Sequence, residues 1–280
     1  MKHYLEEGPV SSGPCQKYEK DFLAFAFSHF PGCDREELLP GVVRSKIHHT
    51  FDVCRIGEYI MDNDPQWKEC SKRERFTGYC SCLGHDLSRF EQYRDHKTLQ
   101  DSYSFDHGER SAVILEEKKF VIEELPAEEM EKVCRAIRVH NKKNIAENYP
   151  SSELIYAKLV RDADKLSILK VVTDYFNTPE QERDEDMTFH VPDTASCTEK
   201  VLEDALAGRG VNYTDIACVN DFKIAVFQWP ADLNFASSAI YALENRLFED
   251  FARFLPEHPA MPLLAEKTEK LLKDLAEKKS

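Results

Sequence analysis

Residues 79–92 read Tyr79-Cys80-Ser81-Cys82-Leu83-Gly84-His85-Asp86-Leu87-Ser88-Arg89-Phe90-Glu91-Gln92. A run of small and apolar residues delivers a His-Asp pair, so the pair emerges from a segment expected to be buried. With ten histidines and 51 acidic residues in the chain, an adjacent His and Asp arises by chance. The doublet alone therefore decides nothing. It has company, however. His49 stands upstream in Ile47-His48-His49-Thr50-Phe51-Asp52-Val53, and Asp164 downstream in Arg161-Asp162-Ala163-Asp164-Lys165-Leu166. His107 and His140 fall between them. This order of imidazoles and carboxylates suits a buried site for one or two metal ions, which take nitrogen and carboxylate oxygen at ~2.0–2.2 Å.

The elements carrying these residues read as helices. Lys17–Phe30 holds a Phe- and Ala-rich apolar run that Pro31-Gly32 stops. Val42–Met61 places Val43, Ile47, Val53, Ile56 and Ile60 at spacings of a helical face, ended by Asn63-Asp64-Pro65. Glu69–Leu87 is the next helix and runs into the doublet. Ser88–Phe105 is polar and aromatic and reads as a loop with short helical turns. Gly108–Leu115 is a short helix. Pro126 begins a clearer one with acids in its first turn, as the helix dipole favours. Val133, Ala136, Ile137 and His140 fall at i, i+3, i+4 and i+7, which puts His140 on its buried face. Leu154–Phe176 is a long helix containing Asp164. After a charged segment, 177–186, come helices at Ser196–Leu206 and Ala236–Leu255. A turn at Pro259–Pro262 precedes a charged amphipathic helix at Ala265–Lys279. Lys223–Gln228 fits either a strand or a buried helix. The fold class expected is all-α.

Composition narrows the partners. The chain has 280 residues, 42% hydrophobic and 31% charged, as in ordinary globular proteins. No apolar run approaches the ~20 residues of a membrane span, and Met1–Pro9 lacks the apolar core of a signal peptide. A cytoplasmic location is expected. The net charge of −14 repels a polyphosphate backbone, so duplex nucleic acid is not an expected partner. A small phosphorylated ligand stays compatible, because it needs only a local cation cluster or a metal. Nine cysteines without paired spacing read as reduced core residues rather than a disulfide framework or a zinc finger.

His49, the His85-Asp86 pair and Asp164 come from three different helices. A doublet at a helix end can serve one site, its Asp bridging two metals while its His binds one. A buried carboxylate without a partner costs several kcal/mol, so Asp164 calls for a cation or a strong donor. Arg89 and Arg94 are candidate phosphate ligands, because a guanidinium offers two parallel hydrogen bonds. Lys165 is another. Each could equally form a surface ion pair. His48 competes with His49 and Asp162 with Asp164. His96, in the polar loop, is left out of the metal set.

The spacing His49-Thr-x-x-Val, Gly-His85-Asp86 and Ala-Asp164-Lys-Leu resembles the HD-domain superfamily of metal-dependent phosphohydrolases, over roughly residues 20–175. The stretches around Asp106-His107-Gly, Val-His140-Asn141 and Arg161-Asp-Ala-Asp164 look like a bacterial branch with a binuclear-type ligand set. By that resemblance His49, His85, Asp86 and Asp164 hold a first metal, and Asp86, His107 and His140 a second. Leu-Ser follows the doublet where many relatives have Ile-Gly. The Ala-Asp-Lys-Leu context favours Asp164 over Asp162, and Thr50 and Val53 favour His49 over His48.

The charged segment at 177–186 is the best candidate for a boundary, which gives a metal-binding domain at 1–176 and a helical extension at 177–280 packed on it. The resemblance implies a helical metal-binding core. It implies a phosphohydrolase that cleaves a phosphomonoester or phosphodiester, a nucleotide by expectation, with metal-activated water. Asp86, Arg89 and Lys165 would be catalytic. The cofactor would be one or two divalent metals among manganese, iron, zinc, nickel and magnesium. Substrate and metal identity, and whether the protein is a homo-oligomer, stay open. Two other readings stand beside it. One is a diiron oxygenase on the same ligand order. The other is a non-catalytic module that binds a nucleotide or a protein partner.

Overall fold

A computed structural model describes residues 15–118, 125–183, 185–188 and 190–278. Met1–Pro9 and Lys279, which enter the expectations above, lie outside them. Among the described residues every regular element is a helix, which is the all-α class expected. None of these helices is long and apolar enough to cross a membrane.

The chain divides into two compact units. The first takes the described residues up to Asp62 and Trp67–Asp164. The second takes Asn63–Gln66 and the described residues from Lys165 onward.

In the first unit, α1 (Cys15–Ser28) and α2 (Gly41–Asn63) are followed by the single turn α3 (Pro65–Lys68), which begins in the second unit. Then come α4 (Lys72–Gly84), α5 (Ser88–His96), α6 (His107–Lys118) and α7 (Ala127–His140), and the first half of α8 (Leu154–Asn177). α4 is the centre of this unit. It starts at a capping box: Ser71 Oγ accepts from the Glu74 amide at 3.3 Å, and Glu74 Oε2 accepts from the Ser71 amide at 2.7 Å. From there Thr77–Gly84 are all buried, so the helix has core on every side. That accounts for its lack of apolar periodicity and for Cys80 and Cys82 as core residues, both free thiols.

α4 packs on α7, and α6 lies along α7. Gly84 allows the crowding at this point: a Cβ there would meet Leu115 Cδ1 at 2.8 Å and Ile137 Cδ1 at 3.0 Å. Thr77 donates to Glu129 Oε2 at 2.8 Å from α4 to α7, and Tyr79 to Glu19 Oε1 at 2.8 Å from α4 to α1. Phe22, from α1, packs edge-on against Phe51 and Phe90 with centroids 5.5 and 5.6 Å apart.

The second unit holds the rest of α8, then α9 (Glu199–Leu206), α10 (Val219–Phe227), α11 (Ala236–Glu244), α12 (Leu247–Ala252) and α13 (Met261–Ala276). Its core includes Phe176, Phe227, Phe248 and Phe251. The buried Asp221 carboxylate orders the entry to α9 and α10, accepting from the Thr198 amide and hydroxyl at 2.6 Å each and the Ala217 amide at 3.0 Å.

Several expectations change. Ser88–His96 is a helix rather than a loop. Its polar sequence reflects an exposed last turn at Arg94, Asp95 and His96, while Ser88, Phe90 and Gln92 are buried. Lys97, at φ 55°, ends it. Ala236–Leu255 is not one helix. Arg246, at φ 53°, breaks it, and the new direction buries Leu247, Phe248 and Phe251. Lys223–Gln228 belongs to a buried helix, not a strand. Pro262 sits in the first turn of α13, where proline needs no amide partner. The two compact units divide between Asp164 and Lys165, inside α8. The charged segment marks where that helix ends, and a helix can run from one unit into the next without any compositional break.

Candidate metal centre

Five elements of the first unit supply the polar cluster. His49 comes from the middle of α2. His85 and Asp86 occupy the turn between α4 and α5. His107 opens α6, His140 closes α7, and Asp164 comes from α8. The doublet thus lies just beyond the end of α4, with His85 as its C-cap, in a turn that stays right-handed helical at His85 and Leu87. His49, His85, Asp86, His107 and His140 are all buried.

The side chains converge on the Asp86 carboxylate. Its Oδ2 lies 3.8 Å from His49 Nε2 and 3.6 Å from His85 Nε2. Its Oδ1 lies 3.6 Å from His107 Nε2 and 4.0 Å from His140 Nε2. Asp164 Oδ1 is 3.1 Å from His49 Nε2 and 3.8 Å from His85 Nε2. Ligand atoms of His49, His85 and Asp164 lie within 4.8 Å of one another, as do those of His85, Asp86 and His140. All six residues expected as ligands are brought together, with His85 standing between the two groups.

Three of the imidazoles have their tautomer set. Nδ1–H of His85 donates to the Cys82 carbonyl at 2.7 Å, and Nδ1–H of His140 to the Ile137 carbonyl at 2.7 Å. Nδ1 of His107 lies 2.5 Å from Asp101 Oδ2. An oxygen acceptor at Nδ1 leaves Nε2 as a bare lone pair in the neutral ring. His107 Nε2 and His140 Nε2 are nevertheless 3.1 Å apart. Two lone pairs at that distance repel unless a cation lies between them. The donor set, its buried setting and its Nδ1 supports are those of a divalent-metal site.

Residues 47–169 match the HD domain family, and the match contains all six ligand candidates. This segment is an HD domain. Neither the curated proteins nor the solved structures include a match to the chain. The HD domain is that of a superfamily of metal-dependent phosphohydrolases.

The electrostatics of the HD domain suit metal uptake at neutral pH. Burial lowers the His107 and His140 pKa values to about 4, helped at His107 by Arg89 and at His140 by His85. Burial also lowers that of His85. Burial pushes the Asp86 carboxyl up, but Lys46, His85, Arg89 and His107 together hold it well below its usual value. Asp164 is likewise held down against burial, by the hydrogen bond from His49 and the charges of His85, His49 and His140. Neutral imidazoles and ionised carboxylates are the forms that bind metal.

The remaining candidates separate cleanly. His48 pairs with Glu36. Asp164, rather than the fully buried Asp162, faces the histidines. His96 is exposed and packs edge-on against Phe105. Arg94 makes two 2.6 Å bonds to its neighbour Asp95, an exposed ion pair. Arg89 does reach the cluster: its Nε is 3.3 Å from Asp86 Oδ1 and its Nη1 3.1 Å from Asp101 Oδ1. Lys165, by contrast, is held by Asp232 at 2.8 Å within the second unit.

Sequence reasoning missed Lys46 and Asp101. Lys46 Nζ lies 2.8 Å from Asp86 Oδ2. It stands three residues before His49, and i,i+3 spacing on α2 would have flagged it. Asp101, in a 3-10 turn at Asp101–Tyr103, carries no such signal among 51 acidic residues.

Proposed function

We propose that the HD domain hydrolyses a phosphomonoester or phosphodiester, with a nucleotide as substrate, at the cluster around Asp86. The observation that carries this reading is the division of one carboxylate. Asp86 Oδ2 serves His49 and His85, and Oδ1 serves His107 and His140. Such an acid suits two divalent cations acting on one group. Bound there, manganese, iron, zinc, nickel or magnesium would lower the pKa of water from ~15.7 towards about 7 and draw charge from the phosphoryl oxygens.

The protein's own residues do the rest. His49, His85, His107 and His140 turn their Nε2 atoms to one centre, and Asp86 and Asp164 balance charge beside them. Arg89 holds Nε and Nη1 against Asp86, Gln92, Leu99 and Asp101, and its Nη2 makes no hydrogen bond among the described residues. That donor would meet a phosphate oxygen. Lys46 adds a second cation on the Oδ2 side of Asp86. Lys165 would have to leave Asp232 to share the task. These local cations offset the net charge of −14 for a small anionic ligand, whereas a long polyanion meets the repulsive surface.

Metal analysis joined to a hydrolysis screen over nucleotides and phosphoesters with added manganese tests the reading. Two equivalents of metal and hydrolysis of a phosphoester bond are expected, both lost in a His85→Ala, Asp86→Ala double variant. Full activity in that variant would place the chemistry elsewhere. Oxygen uptake by the iron-loaded protein without phosphoester hydrolysis would replace hydrolysis with oxygenation.

A further inference from the structure

Asp101 meets a histidine of the cluster and the arginine beside it at once. Oδ2 lies 2.5 Å from Nδ1 of His107 and also takes the His107 amide at 3.3 Å and Asn141 Nδ2 at 3.3 Å. Oδ1 takes Arg89 Nη1 at 3.1 Å and Gln92 Nε2 at 3.2 Å. The other two imidazoles of known tautomer, His85 and His140, lean on backbone carbonyls. His107 alone among these three leans on a side chain. A carboxylate behind an imidazole fixes the tautomer, fixes the ring plane and raises the basicity of the far nitrogen.

We propose that Asp101 is a positioning residue that aims His107 Nε2 at the second metal and locks Arg89 to the same support. The proposal rests on the two-metal reading above. Removing Asp101 should leave the His49, His85 and Asp164 group intact and weaken the other. It should also leave Arg89 with Asp86, Gln92 and the Leu99 carbonyl.

The test uses the full chain, manganese alone as probe, and nitrogen-15 NMR of the imidazoles in metal-free protein. The wild type should show His107 as the Nδ1–H tautomer and bind two equivalents of manganese. Asp101→Ala should mix the His107 tautomers and weaken the second equivalent about 10–100-fold with the first unchanged. Asp101→Asn keeps an oxygen acceptor without the charge. It should retain the tautomer and fall between the other two in affinity. Asp101→Glu should recover part of the loss.

A His107 tautomer unaltered by Asp101→Ala overturns the proposal. Should that variant fail to fold, wild-type affinity for both equivalents in Asp101→Asn overturns it instead. A wild type that binds one equivalent sinks the two-metal reading, and the tautomer measurement then decides Asp101 by itself.

Discussion

The Lys46 ammonium lies 2.8 Å from Asp86 Oδ2, and His49 Nε2, from the next turn of the same helix, lies 3.8 Å from that oxygen. A cation thus already touches an atom that a metal would use. Lys46 should oppose metal binding by charge repulsion and favour a phosphate by attraction. Lys46→Met keeps most of the stem and removes the charge. Manganese affinity should rise by about tenfold, ~1.4 kcal/mol, while KM for a phosphoester substrate rises. Calorimetric titration and steady-state kinetics check the two signs. Weaker manganese binding in the variant would show that Lys46 supports the metal instead.

The two oxygens of Asp86 face different histidines, which makes the loss of this residue unlike the loss of any one imidazole. Asp86→Asn should reduce both manganese equivalents, by about 100-fold or more. His140→Gln should reduce only the second, leaving His49, His85 and Asp164 in place. Metal content after dialysis against a graded manganese series gives both results. Equal losses in the two variants would count against a shared carboxylate.

The depressed histidines give the metal-free protein a pH-dependent stability with a definite sign. His107 and His140 titrate near 4 when folded and near the ordinary ~6.5 when unfolded. Above pH ~6.5 both states are neutral and their contribution is constant. Between pH ~6.5 and 4 the unfolded chain takes up protons that the folded one refuses, so stability falls, by up to about 3 kcal/mol per histidine. Thermal melts of metal-free protein at pH 7, 5.5 and 4.5 should show Tm dropping through this window, with a shallower drop in His140→Gln. A similar slope in wild type and variant would remove His140 from the account.

Glu58 carries the opposite sign. Burial, with Glu19 and Asp62 nearby, raises its pKa to about 7. The folded state holds this proton more tightly than the unfolded chain. Its contribution is full below pH ~4.5 and is lost as pH rises to about 7. Glu58→Gln should therefore stabilise the protein at pH 8. After discounting for the group's partial exposure the gain is about 1 kcal/mol, or ~2–4 °C in Tm. The gain should vanish near pH 4.5. A variant less stable than wild type at pH 8 would show that the carboxylate makes a favourable contact.

What the sequence made legible follows from how each signal arises. His85-Asp86, His49 and Asp164 could be found because residue type, order and context recur together. His140 could be found because it continues an apolar helical face, Val133-Ala136-Ile137. The small and apolar run ahead of the doublet signalled the burial of α4, although a helix with core all round has no polar stripe to set a period. α5 looked like a loop because its exposed last turn, Arg94, Asp95 and His96, resembles solvent-exposed coil. Lys165 sits next to a candidate ligand in sequence, yet adjacent helical residues diverge by ~100° and its partner is Asp232. Asp101 lies in an irregular connection, where neither helical nor strand spacing links a residue to its neighbours in space.

The Nδ1 supports also set how readily each histidine can be retuned. Cys82 and Ile137 hold His85 and His140 through their carbonyls, three residues back along each helix. Every amino acid brings that carbonyl, so side-chain substitution at either position leaves the anchor standing. His107 has no such insurance, since a single codon change at position 101 alters what stands behind it. Drift in metal preference among descendants of this chain should therefore begin at His107, with His85 and His140 as the inherited frame.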